Sequence, residues 1–237
     1  MPRGDGMRSA CPTWRVALTG AILLTAAANV SARESVSTAR ADTQEWNEID
    51  ITLPVSKRLE LTWVSLARLS SEIGQPVTYA NGLYANIAIG DHITLTPFYS
   101  QYIVYGYTTG QWVHTGEPGV ELTIAGGWPR CQLSDRSRFY YVTGESTPLW
   151  VYRNRPRIDC RVGSGAREAS VFVADEFFHY STFGGWTRYR FTSGARFVLG
   201  KRSALDLYYL RQVDQRQIPG TINALGITLE LRIGNLD

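Results

Sequence analysis

The chain has 237 residues, 24 basic against 21 acidic side chains and three cysteines, with 8 Phe, 7 Trp and 13 Tyr. A charged fraction of 19% with 12% aromatic residues excludes a disordered chain. Segments of Tyr, Thr, Val and Ile punctuated by 22 glycines are poor material for a helical bundle and good material for sheets.

The first segment reads as a secretory signal peptide. Arg3, Arg8 and Arg15 precede an apolar run over residues 16–30, and Val30-Ser31-Ala32 is a small-residue exit that predicts cleavage after Ala32. The run is shorter than the ~20 residues a membrane-spanning helix needs. Residues 33–44 read as a linker, and residues 45–237 as the folded domain. Cleavage removes three arginines and one aspartate and leaves 21 basic against 20 acidic side chains. A nearly neutral mature chain offers no electrostatic footprint for nucleic acid. Cys11 leaves with the signal and lies before the apolar run, where a lipoprotein attachment site would not be.

Beyond that point, segment after segment alternates apolar and polar residues with period two. Ile49, Ile51, Leu53 and Val55 oppose Glu48, Asp50 and Thr52, and then Leu59, Leu61 and Trp63 oppose Arg58, Glu60 and Thr62. Comparable runs occupy 77–89, 91–106, 117–128, 137–144, 149–162, 167–181, 186–199 and 203–213. The last is the cleanest, with Leu225, Ile227, Leu229, Leu231 and Ile233 against Thr228, Glu230 and Arg232. That makes about eleven strands and no long helix. Tight turns are expected at Ser56-Lys57, Gly90-Asp91-His92, Ser134-Asp135-Arg136 and Lys201-Arg202, and longer connections near 70–76, 107–118 and 213–221. Short turns alternating with longer loops, after a cleaved signal, predict an all-β fold: an antiparallel up-and-down transmembrane β-barrel of ten to twelve strands. A soluble sandwich would favour Greek-key crossovers. Even closure of eleven runs would require residues 33–44 to add a strand, or the 46–55 segment not to be an independent one.

Parity places Arg153, Arg155, Arg157, Asp159 and Arg161 on one face of their strand, with Trp150, Tyr152 and Ile158 on the other. The charged face must look into the lumen, because a charge facing lipid at mid-membrane costs roughly 2 to 4 kcal/mol. In the hairpin around Thr182 to Gly185, Glu176 falls opposite Arg190, with Arg188 one pair further out and Arg153 or Arg155 across the preceding turn. Arg196 similarly meets Asp206. Lys57 and Lys201 are the only lysines, both at turns, and arginine suits paired, poorly solvated interiors better than lysine. The expected role is a structural plug or a weak small-solute pore, since a small barrel is mostly filled by its own side chains.

The rival chemistry is a His-x-Ser element. His179 and Ser181 share the lipid-facing side of their strand, which is similar to the base and nucleophile of outer-membrane phospholipases and lipid A deacylases, although Thr182 stands where those enzymes carry Asn. A lumen that binds a small ligand is a third possibility. Of the other histidines, His92 falls in a predicted turn and His114 in a predicted loop. No metal-spaced Cys/His set and no phosphate-binding glycine loop occur, so no cofactor is expected. Cys131 and Cys160 are placed on strands separated by one other, hence ~10 Å apart if both are in the sheet, so a disulfide is not expected unless the Cys131 region bends out of the sheet after Pro129.

Residues 136–233 resemble an uncharacterised family of Gram-negative outer-membrane barrels known only as a domain of unknown function. The likeness rests on Arg-Pro-Arg-Ile at 155–158, Asp-Glu-Phe-Phe at 175–178, Trp-Thr-Arg-Tyr-Arg at 186–190, Tyr-Tyr-Leu-Arg at 208–211 and the closing Leu-Gly-Ile-Thr-Leu-Glu-Leu-Arg. It implies a barrel in the bacterial outer membrane, whose partners are membrane lipid and, during biogenesis, the barrel-insertion machinery.

Overall fold

Strands long enough to tilt around a barrel wall come directly from the alternating runs. The computed structural model describes residues 41–144, 149–162 and 169–234. The segment expected to be a signal peptide, with Cys11, and most of the expected 33–44 linker lie outside the described residues. Eleven strands follow in chain order: β1 (Ala41–Ser56), β2 (Leu59–Ser70), β3 (Gln75–Ala88), β4 (Ile93–Tyr105), β5 (Trp112–Trp128), β6 (Cys131–Val142), β7 (Leu149–Val162), β8 (Ala169–Tyr180), β9 (Gly185–Gly200), β10 (Ser203–Asp214) and β11 (Thr221–Arg232). Each pairs antiparallel with its neighbours in sequence, and the sheet closes on itself where β1 meets β11.

That seam is parallel, running from Ala41 beside Thr221 to Thr52 beside Arg232. The even-number expectation is therefore corrected. β1 is an independent strand paired on both edges, and one parallel ladder closes an odd count. It also begins at Ala41, inside the span expected to be linker. Ala41 and Arg232 consequently sit at opposite ends of the barrel.

Turn lengths differ between the two ends. At the Arg232 end the links at 57–58, 129–130 and 201–202 have two residues each, 89–92 has four and 163–168 six, while at the Ala41 end 71–74 and 181–184 have four and 106–111, 143–148 and 215–220 six. The Ser134-Asp135-Arg136 turn does not exist. These residues lie inside β6, whose true turn is Pro129-Arg130, because a proline that cannot donate to the ladder suits the corner and β6 starts at once with Cys131. His114 likewise lies in β5, paired with Ile103, and not in a loop.

The corrected register brings Cys131 directly opposite Cys160 on adjacent strands, and the two form a disulfide with Cα atoms 4.1 Å apart. The expectation of separated cysteines failed only because β6 was begun six residues too late.

One face of every strand is lined with apolar side chains that remain exposed. Leu83, Tyr99, Ile124, Trp186 and Leu225 are examples, with Leu225 68% accessible. The other face is buried and carries charge, including Asp42, Glu121, Arg138, Glu176 and Asp206. Two of the acidic groups that face outward are matched: Asn154 donates to Asp135 at 2.8 Å, and the Tyr189 hydroxyl donates to Asp175 at 2.6 Å. Gly226 is required where it stands, since a Cβ there would overlap the ring of Tyr208, its neighbour on β10.

Candidate functional site: the charged barrel interior

The interior is stacked in zones along the barrel axis. Near the Ala41 end, Phe98, Tyr140, Val142, Val151, Phe178 and Tyr180 form a buried cluster. A second cluster places Trp46 against Leu210, Ile222 and Ala224. The β4–β5 loop bends over this end, where the Tyr107 hydroxyl donates to Asp42, which also accepts from Ser70 and Gln44. Burial, with that bond to the carboxylate, pushes the Tyr107 phenol up to about 12.

Below the aromatic zone, arginines and carboxylates interlock. Glu176, 4% exposed, receives Arg153 Nε at 2.5 Å, Arg190 Nη1 at 3.3 Å and Arg136 Nη2 at 3.4 Å. The in-register pairing of Glu176 with Arg190 positions the second contact, and the β7–β8 ladder positions the first. Arg138 holds Glu121 through Nε at 2.8 Å and Nη2 at 2.6 Å, its guanidinium lying 4.5 Å from the Phe98 ring centroid. Stacking one face of the guanidinium on an aromatic while its edge binds a carboxylate satisfies both parts of the group away from water.

Arg196 meets Asp206 at 3.4 Å, as its register requires, and also binds Glu230. Arg188 is drawn away from Glu176 and binds Asp214 at 2.6 Å and Gln217. Arg157 grips Asp159 with Nη2 at 2.6 Å and stacks 3.9 Å over Phe172. Arg155 faces the same interior but makes no hydrogen bond or ion pair among the described residues. The cluster thus gathers Arg153, Arg157, Glu176, Arg190, Arg196 and Asp206, with Arg188 tied elsewhere and Arg155 left over. Sequence reasoning missed Glu121, Arg136 and Arg138. Arg136 was lost because it had been assigned to a turn, although its parity with Arg138 was the available signal.

Two cavities occupy the remaining space. An inner one of 340 Å³ is bordered by Asp50, Arg68, Arg136, Arg155, Glu176 and Tyr208 among others. A vestibule of 590 Å³ at the short-turn end is bordered by His92, Arg130, Asp159, Arg161 and Arg196 among others. Arg157 borders both and stands between them.

The His-x-Ser pair is differently built. His179 faces outward from β8 and packs edge-on against Trp186 at 5.6 Å. Ser181 begins a 3-10 turn, and its Oγ accepts the backbone N–H of Trp150 at 3.0 Å. No hydrogen bond joins the two side chains among the described residues.

These features define a closed up-and-down β-barrel with a charge-lined interior and an apolar exterior. Residues 43–223 match the model of the DUF2490 family, described as proteins of unknown function, and the chain belongs to that family. No curated protein matches it.

Proposed function

We propose that this is an outer-membrane β-barrel protein, structural or weakly conducting for small solutes, with its short-turn end toward the periplasm. One observation carries the reading: the barrel is inside-out relative to a soluble protein. Leu83, Ile124, Leu225 and their neighbours stay exposed on the outer face, while Glu121, Arg138, Glu176 and Arg190 are buried inside. An apolar surface that runs around the whole wall is stable only when something apolar covers it, and lipid covers every side of a closed barrel at once. Burying charges on the inner face is supported by their pairing, which offsets much of the desolvation they suffer.

The weak-pore part of the reading rests on Arg157. Held by Asp159 and stacked on Phe172, it separates the inner cavity from the vestibule. In planar bilayers the wild-type protein is expected to give low conductance, rising several-fold in Arg157→Ala. A large, steady wild-type conductance unaffected by that change would contradict the plugged interior.

A further inference from the structure

Two side chains bordering the inner cavity lack the partners that the rest of the network has. Arg155 makes no ion pair or hydrogen bond among the described residues, although Arg136, its cross-strand partner, reaches Glu121 and Glu176. Asp50 has a buried Oδ1 with no hydrogen-bond partner, and Glu48 beside it on the same face of β1 makes no ion pair among the described residues. These groups stand on opposite walls. β7, which carries Arg155, is five strands from β1 in one direction around the barrel and six in the other.

The walls differ in sign. Arg136, Arg138, Arg153, Arg155 and Arg190 on β6 to β9 face three carboxylates, Glu117 and Glu121 of β5 and Glu176 of β8. Across the cavity, Glu48 and Asp50 on β1 form no ion pair among the described residues, and the guanidinium beside them, Arg68 of β2, stacks 3.9 Å over Trp46. A wall of eleven strands about 4.8 Å apart and tilted about 40° has a diameter of about 20 Å, so an extended guanidinium and a facing carboxylate leave a gap of about 10 Å. Uncompensated buried charge is costly, and a bound counter-charge is the usual way to offset it.

We propose that the inner cavity binds a small free zwitterion, its anionic end, a phosphate or carboxylate, on Arg155 and Arg136 and its ammonium on Asp50 and Glu48. The 340 Å³ volume limits the ligand to a few heavy atoms beyond an amino acid. Lipid headgroups are excluded because these side chains point away from the outer wall. The ligand enters through the vestibule, where Arg157 is the barrier. This inference rests on the barrel reading above but not on its location, since binding is measured on folded protein in detergent.

The test uses three matched probes: O-phosphoethanolamine, inorganic phosphate as its anionic half, and ethanolamine as its cationic half. Thermal melting of detergent-folded protein is expected to rise saturably with O-phosphoethanolamine, with a midpoint at least tenfold lower than for phosphate, and to be unmoved by ethanolamine. Arg155→Gln should abolish the saturable shift, and Asp50→Asn should erase the preference for the zwitterion over phosphate. Neither variant removes a formed ion pair, and heat-modifiable migration on gels confirms that each remains folded. A saturable shift that is equal for zwitterion and phosphate in the wild type, one unchanged in Arg155→Gln, or no saturable shift with any probe would overturn the proposal. Membrane fractionation is unaffected by any of these outcomes and tests the barrel reading separately.

Discussion

Replacing Glu176 by Ala is expected to destabilise the barrel more than any other single change to its charged interior. The carboxylate is 4% exposed and is approached by Arg153, Arg190 and Arg136 within 3.4 Å. Removing it leaves Arg153 and Arg190 without an ion-pair partner, while Arg136 keeps Glu121 at 3.7 Å. Breaking a buried pair typically costs about 3 to 5 kcal/mol, and water in the adjoining cavity lowers that figure. Arg190 retains Gln212 at 2.7 Å, a neutral acceptor that cannot replace the lost charge. Denaturant unfolding in detergent should show this loss, whereas Ser181→Ala, which gives up one exposed hydrogen bond to Trp150, should shift stability by less than about 1 kcal/mol. Equal effects from the two changes would mean that the charges inside the wall are hydrated rather than paired. Loss of lipid hydrolysis in folded Ser181→Ala would instead reveal an esterase.

The disulfide should be the second largest contributor among single features. Cys131 and Cys160 are 29 residues apart in sequence and staple the β6–β7 edge at the short-turn end. Closing a loop of that length removes unfolded-chain entropy worth about 3.6 kcal/mol. Cys160→Ser should therefore lower unfolding stability by about that amount while leaving the barrel able to fold, since eleven other cross-strand pairs hold β6 to β7. Alkylation of the mature chain without reductant should add no label, and two labels should appear after reduction. Labelling of both cysteines before reduction would show that the bridge is not formed.

How far the sequence reveals this architecture depends on which physical signal each element carries. The run from Leu225 to Ile233 announces β11 because its outer side is uniformly apolar and its inner side polar, and the same parity assigns Arg153 and Arg155 to the inner face. Register was legible where a tight hairpin fixes it: Glu176 stands beside Arg190, and Asp206 beside Arg196. Alternation weakens where both faces are polar. Ser134, Asp135 and Arg136 look like a turn by composition, yet β7 supplies partners on one side, with Asn154 donating to Asp135. That single misplacement hid the disulfide and removed Arg136 from the Glu176 cluster. The parallel β1–β11 seam was not legible at all, because closure is a property of the whole wall and no local period encodes it.

The destination of Arg188 shows a further limit. Its parity was read correctly, but the β9–β10 register sets Asp214 directly opposite Arg188, whereas on β8 its opposite is Phe178 and Glu176 lies two residues away. The contact to Asp214 is 2.6 Å.

The central claim, a barrel closed in the outer membrane with its apolar face outward, is tested most directly by fractionating cells that express the full chain and comparing boiled with unboiled samples on gels. The account predicts recovery of the mature chain with the outer membrane, resistant to salt and carbonate extraction, and a faster-migrating unboiled form that shifts on heating as the closed wall opens. Recovery as a soluble periplasmic protein with no heat-dependent shift would contradict it.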